Sequence, residues 1–168
     1  MKRRTFIGLG VAAGVVVAAG GTLLAYWQPG WANGRLTPRG RALFGAVAQA
    51  VLAELLPAAA AERAAALQAH LDRLEGSVAG MHPATRKEIE QLTTLLAHPA
   101  ARRAIVGLRP DWADAGVAEV QAALGALRQS DQAMKQQLYH ALRDLTNAAW
   151  FSDRATWAAI GYPGPVAL

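Results

Sequence analysis

Residues 130–151 read SDQAMKQQLYHALRDLTNAAWF. Met134, Leu138, Leu142, Leu145 and Ala149 recur at intervals of three and four, the spacing that lines one face of an α-helix. That spacing predicts a helix from Asp131 to about Trp150, with Ser130 as its N-cap. Lys135, Arg143 and Asp144 fall on other faces, so the segment is amphipathic and needs a partner to cover its stripe.

Neighbouring segments carry the same period. Val117, Val120, Leu124 and Leu127 form one stripe, after a loop over 107–115. Ile89, Leu92, Leu95 and Leu96 form another behind His82-Pro83, and Ile105 and Val106 follow His98-Pro99. MHPATRKEI (81–89) and AHPAARRAI (97–105) look alike because both are proline-initiated helix starts, where a histidine before the proline can cap. Leu67, Leu71, Leu74 and Val78 mark a further helix, with Glu62, Arg63, Asp72 and Arg73 predicted toward water. Thr37-Pro38 opens the first helix of the body, with Phe44, Val47, Ala48, Val51, Leu52 and Leu55 inside and Pro57 closing the run. No strand period competes. The expectation is an all-α protein: a compact bundle of about five or six amphipathic helices with an aromatic, Gly/Pro-rich tail.

Composition agrees. Alanine, the strongest helix former, makes up about a quarter of the residues, and 53% of the chain is hydrophobic against 17% charged, which is globular rather than disordered. The formal charge is +5. Lys2, Arg3 and Arg4 supply three of the 17 basic residues, so the rest carries 14 against 12 acidic ones, a net of about +2. No basic cluster interleaved with aromatics appears, which argues against nucleic acid as a partner.

The chain opens MKRRTFIGLG. A basic start precedes a run from Ile7 to Tyr26 without charge. At about 1.5 Å per residue such a helix could just cross a bilayer's hydrocarbon core. Arg3, Arg4 and Phe6 resemble the Arg-Arg-x-Phe-apolar pattern of twin-arginine export signals, with Lys2 and Gly8 departing from it at the flanks. Residues 1–32 are therefore expected to be a twin-arginine signal or an uncleaved membrane anchor, and 33–168 the helical domain. Gly30-Trp31-Ala32 is the nearest weak cleavage site, and Tyr26 to Arg35 reads as a linker. Gly8-Leu9-Gly10 with Gly14 lacks the preceding strand and the following acidic residue of a dinucleotide loop, since the first acidic residue is Glu54.

No catalytic pattern emerges. With no Cys there is no disulfide, thiolate cluster or C-x-x-C-H haem attachment. Of His70, His82, His98 and His140, only His140 has a carboxylate at ligand spacing, Asp144, and one such pair is an ordinary surface contact. No serine lies in G-x-S-x-G. Acidic residues adjoin basic ones, as in Glu62-Arg63 and Arg143-Asp144, a pattern of solvated faces rather than paired acids. The expectation is no catalytic, cofactor-binding or metal-binding residue in this chain.

The end of the chain differs from the rest. Trp150, Phe151, Trp157, Ile160, Gly161, Tyr162, Pro163 and Gly164 crowd apolar bulk beside residues that forbid helix. Trp150 and Phe151 could seal an alanine-rich core. All eight are candidates for contact with a partner. Leu142-Arg143-Asp144-Leu145-Thr146, then Trp150-Phe151, then Trp157-Ala158-Ala159-Ile160-Gly161-Tyr162-Pro163-Gly164 resembles the ending of the gluconate 2-dehydrogenase subunit 3 family. Leu55-Leu56-Pro57 is similar to the close of that family's first helix. The resemblance implies a non-catalytic accessory subunit in the periplasm or held at the inner membrane. It implies as partners a large FAD-bearing dehydrogenase of the glucose–methanol–choline type, acting on sugars, sugar acids or alcohols, a cytochrome c acceptor, and the twin-arginine translocase during export. FAD would sit in the partner, and twin-arginine transport of folded cargo would account for Arg3 and Arg4. The alternative is a stand-alone helical interaction protein, periplasmic or membrane-anchored, with an unrelated partner.

Overall fold

The structure is a computed structural model that describes residues 29–164. Arg3, Arg4, Phe6 and the apolar leader lie outside the described residues, as do residues 165–168. Among the described residues no helix is long and apolar enough to cross a membrane.

The architecture is all-α. A two-residue hairpin, β1 (Trp31–Ala32) and β2 (Arg35–Leu36), leads into α1 (Pro38–Val51), α2 (Ala60–Ala79) and α3 (Pro83–Ala97). The short α4 (Pro99–Ala101) runs on as a π-helix over Arg102–Val106, and α5 (Val117–Arg128) and α6 (Ala133–Phe151) follow. A 3-10 helix (Arg154–Ile160) closes the described chain.

Helix starts follow local chemistry. Thr37 Oγ1 accepts from the Gly40 N–H at 3.3 Å, with Pro38 in the first turn. His82 Nδ1 accepts from Ala84, and His98 Nδ1 from Ala100, each at 3.3 Å. The two His-Pro repeats are thus helix starts of one design, as their sequences predict. Two boundaries differ from expectation. α1 stops at Val51, where Leu52 donates back to Ala48, and turns at Leu55 and Leu56 carry the chain to Pro57. α6 begins at Ala133 because Ser130 Oγ accepts from Gln132 in a turn rather than capping the helix.

α1 is the hub, packed against α2, α3, α5 and α6. α6 packs against α1, α2 and α5, which covers its predicted stripe: Leu138, Leu142, Leu145 and Ala149 are buried. Alanine buries little area, so large side chains carry the core. Phe44, Leu43, Leu52, Leu74, Leu96, Leu127 and Leu142 are essentially inaccessible, each contributing about 1.5–3 kcal/mol by burial. Trp31, Trp112 and Trp150 add aromatic bulk.

Of the segment expected to be a linker, the described part, residues 29–35, is structured. Asn33 (φ 53°) and Gly34 (φ 75°) both take the left-handed conformation of a tight hairpin turn. Trp31 is buried, and its Nε1 donates to Thr93 Oγ1 at 3.0 Å while Gly30 N–H donates to Thr94 Oγ1 at 2.9 Å. The domain boundary expected after residue 32 therefore falls inside the hairpin, and a cut after Ala32 would strip Trp31 from the core. Gly30 and Gly40 allow this approach: a Cβ on Gly40 would run into the Gly30 carbonyl, and one on Gly30 would lie 2.7 Å from Thr93 Cγ2.

The loop after Val106 is also built in. Trp112 Nε1 donates to the Leu96 carbonyl at 2.8 Å. Arg102, only 2% exposed, pairs with Asp111 at 3.0 Å and donates to the carbonyls of Leu108 and Arg109. A buried guanidinium demands such partners.

Candidate functional site

Of the eight candidate residues at the C-terminal end, Trp150 and Phe151 are the last two residues of α6 itself, whereas Trp157, Ile160, Gly161, Tyr162, Pro163 and Gly164 belong to a hook formed after it. Its root is fixed to α2: Arg73 Nε donates to the Ala149 carbonyl at 3.1 Å, and Arg73 Nη1 pairs with Asp153 at 3.1 Å. Asp153 Oδ1 also caps the 3-10 helix by accepting from Ala155 at 2.9 Å. Thr156 Oγ1 lies 3.1 Å from the Trp150 carbonyl and 2.7 Å from that of Asp153, tying the turn together.

Trp157 is the pivot. Its Nε1 donates to the Phe151 carbonyl at 2.8 Å, its ring meets Tyr162 at 5.2 Å between centroids, and the Arg154 guanidinium lies 5.8 Å from it. Gly161, at φ 69°, lets the chain reverse so that Tyr162 N–H donates to the Trp157 carbonyl at 3.1 Å. Gly164, at φ 101°, passes close to the same indole. These bonds give a Gly/Pro-rich stretch one defined path.

The candidates separate into two groups. Ile160 (52% exposed) and Tyr162 (46%) present large apolar surface to solvent, flanked by exposed Gly161 and Pro163. Trp157 and Gly164 are half-buried behind them. Trp150, for which the sequence leaves both core and partner contact open, is core: 5% exposed and packed with Ala48 and Leu52. Phe151 is half-buried against the same cluster. Periodicity explains this, since Trp150 follows buried Thr146 by four residues and buried Leu142 by eight, on one inward face of α6. Val117, expected on an inward stripe, is 39% exposed because it is the first residue of α5.

A buried polar group that sequence reasoning passed over lies beneath the hook. His70 on α2 is fully buried, and its ring stands 6.1 Å from that of Trp150. Among the described residues, His70 Nδ1 and Nε2, Thr146 Oγ1 and Trp150 Nε1 have no hydrogen-bond partner. Burial, reinforced by the Arg73 charge, lowers the His70 pKa to about 4, so the ring is neutral at pH 7. The signal was weak: His70 directly precedes Leu71 of the inward stripe, but nothing local distinguishes it from a surface histidine.

Among the described residues no group of three or more His, Asp or Glu is placed to hold a metal ion. No family model matches the chain, and neither the curated proteins nor the solved structures give a match.

Proposed function

We propose that this chain is a non-catalytic accessory subunit that docks through its C-terminal hook onto a large flavin-dependent dehydrogenase. The observation that carries the reading is the exposed pair Ile160 and Tyr162, presented on a capped and hydrogen-bonded turn. Rigid aromatic anchors lose little entropy on association and dominate interface energies. An alanine-rich bundle has no reason within its own core to hold such groups in water. The sequence resemblance gives the partner its class: an FAD enzyme of the glucose–methanol–choline type acting on sugars, sugar acids or alcohols.

In this reading Arg3 and Arg4 address the complex to the twin-arginine translocase. A flavoenzyme must fold around FAD before transport, and the small subunit bears the signal for both. The mature complex resides in the periplasm or at the inner membrane, and electrons pass from the partner's FAD to a cytochrome c without involving this chain.

The test is capture of the full chain, tagged at its C-terminus, from its native periplasm and membrane, followed by mass and visible absorption spectra. A co-purifying protein of several hundred residues with flavin absorption is expected, and it should be lost from Ile160→Ser/Tyr162→Ala. A colourless eluate with an accessible tag refutes the reading in favour of a stand-alone interaction protein.

A further inference from the structure

Between α1, α5 and α6 the surface opens into a cleft of about 400 Å³, within the size range of small-ligand sites. Its apolar lining includes Val51 from α1 and Leu124 from α5. Two guanidiniums also line it, Arg128 from α5 and Arg143 from α6, and among the described residues no carboxylate does.

The two arginines are held differently. Arg143 Nε and Nη2 both donate to Asp144 Oδ1, at 2.9 and 2.8 Å, and its guanidinium carbon lies 5.6 Å from the Tyr139 ring centroid. These contacts fix a planar donor in place. Arg128, in the last turn of α5, forms no ion pair among the described residues. With Asp144 counted, the cleft keeps a charge of about +1.

Gly125 supplies an independent observation. A glycine in mid-helix weakens the helix, and close packing does not require it here, since a Cβ at this position meets nothing within 4 Å. Gly125 lines the cleft with Val51 and Arg128, and a Cβ there would stand in open space.

We propose that this cleft binds a small organic anion with an apolar body. The acid group lies against Arg128, whose fork suits a planar carboxylate and forms no ion pair among the described residues, with the Asp144-bound Arg143 beside it. The body lies over Val51 and Leu124, in the open space beside Gly125. Nothing in the docking role of the hook requires this site, and its occupant is a small molecule, not a protein.

Calorimetric titration of the full chain with 2-naphthoate, and with uncharged 2-naphthamide of matching shape, tests this. Naphthoate should bind one per chain, and the amide about tenfold more weakly or worse. Arg128→Gln, at an exposed position, should weaken naphthoate about tenfold with an unchanged unfolding midpoint. Gly125→Leu should abolish binding without lowering that midpoint, because leucine is the better helix former. Tyr162→Ala should bind naphthoate as the parent does. Four results would each overturn the proposal: no binding by the parent, equal binding of acid and amide, parental affinity in both cleft variants, or loss of binding in Tyr162→Ala.

Discussion

Acid should destabilise this fold through one side chain. His70 is buried between α2 and α6 with both ring nitrogens unpartnered among the described residues, and its pKa falls from an ordinary 6.5 to about 4. The unfolded chain therefore takes up a proton at a pH where the folded chain still refuses it. Stability from this group is complete above about pH 6.5 and is lost as the pH falls toward about 4. The interval of about 2.5 pH units, at about 1.36 kcal/mol each, gives about 3 kcal/mol in full. Roughly 2 kcal/mol of that should be gone already at about pH 5. The facing groups reinforce the direction. Arg73, one turn along α2, repels an imidazolium, and its own carboxylate partner Asp153 is engaged by that arginine. Urea unfolding of the full chain, followed by far-ultraviolet circular dichroism at about pH 7.5 and about pH 5, measures the loss. His70→Leu removes the titrating group while keeping the site filled. The variant should be at least as stable as the parent near neutrality and should lose about 2 kcal/mol less on acidification. An equal acid loss in parent and variant would refute the assignment to His70. A parent with no loss over this range would show that the ring keeps its ordinary affinity for protons.

Other substitutions should separate the remaining features. Gly40→Ala should cost about 1–3 kcal/mol by forcing a Cβ against the Gly30 carbonyl, whereas Gly45→Ala in the same helix, with open space around it, should gain about 0.5–1 kcal/mol by thermal unfolding. Thr93→Val removes the acceptor of the buried Trp31 indole and should cost about 1–3 kcal/mol in urea. Arg102→Ala should release the loop that Asp111, Leu108 and Arg109 hold to it, read as new protease cleavage between residues 107 and 116. Ile160→Ser and Tyr162→Ala should each change stability by no more than about 0.5 kcal/mol, while capture of the proposed flavoprotein partner falls.

Sequence and structure agree where a signal repeats along a helix or sits at its start. The stripe Leu138, Leu142, Leu145, Ala149 and the caps Thr37, His82 and His98 are local features, and local features survive folding. What was missed depends on distant residues. Asn33-Gly34 is a hairpin signal, but strands of two residues carry no period, so the segment reads as a linker. The worth of Trp31 lies in Thr93, far along the chain. Arg102 carries no local signal in the sequence, and only the return of residues 108–111 over it makes it a buried clamp. In the hook, sequence located the apolar bulk and the helix-breaking path. It could not divide core from surface, because the orientation of Trp157 rests on a carbonyl at Phe151 and that of Tyr162 on the turn at Gly161.

The hairpin has a mechanical consequence. A pull on whatever precedes Pro29 reaches the bundle through Gly30 and Trp31, which are bonded to Thr94 and Thr93 on α3. Thr37, which caps α1, also donates its backbone N–H to Gly30, so the same load arrives at the central helix. The first event under tension would be withdrawal of the Trp31 indole from the core, not fraying of an end. A tether at this terminus would grip the domain from within, and a protease that spares the fold must cut before the residue that serves as the grip.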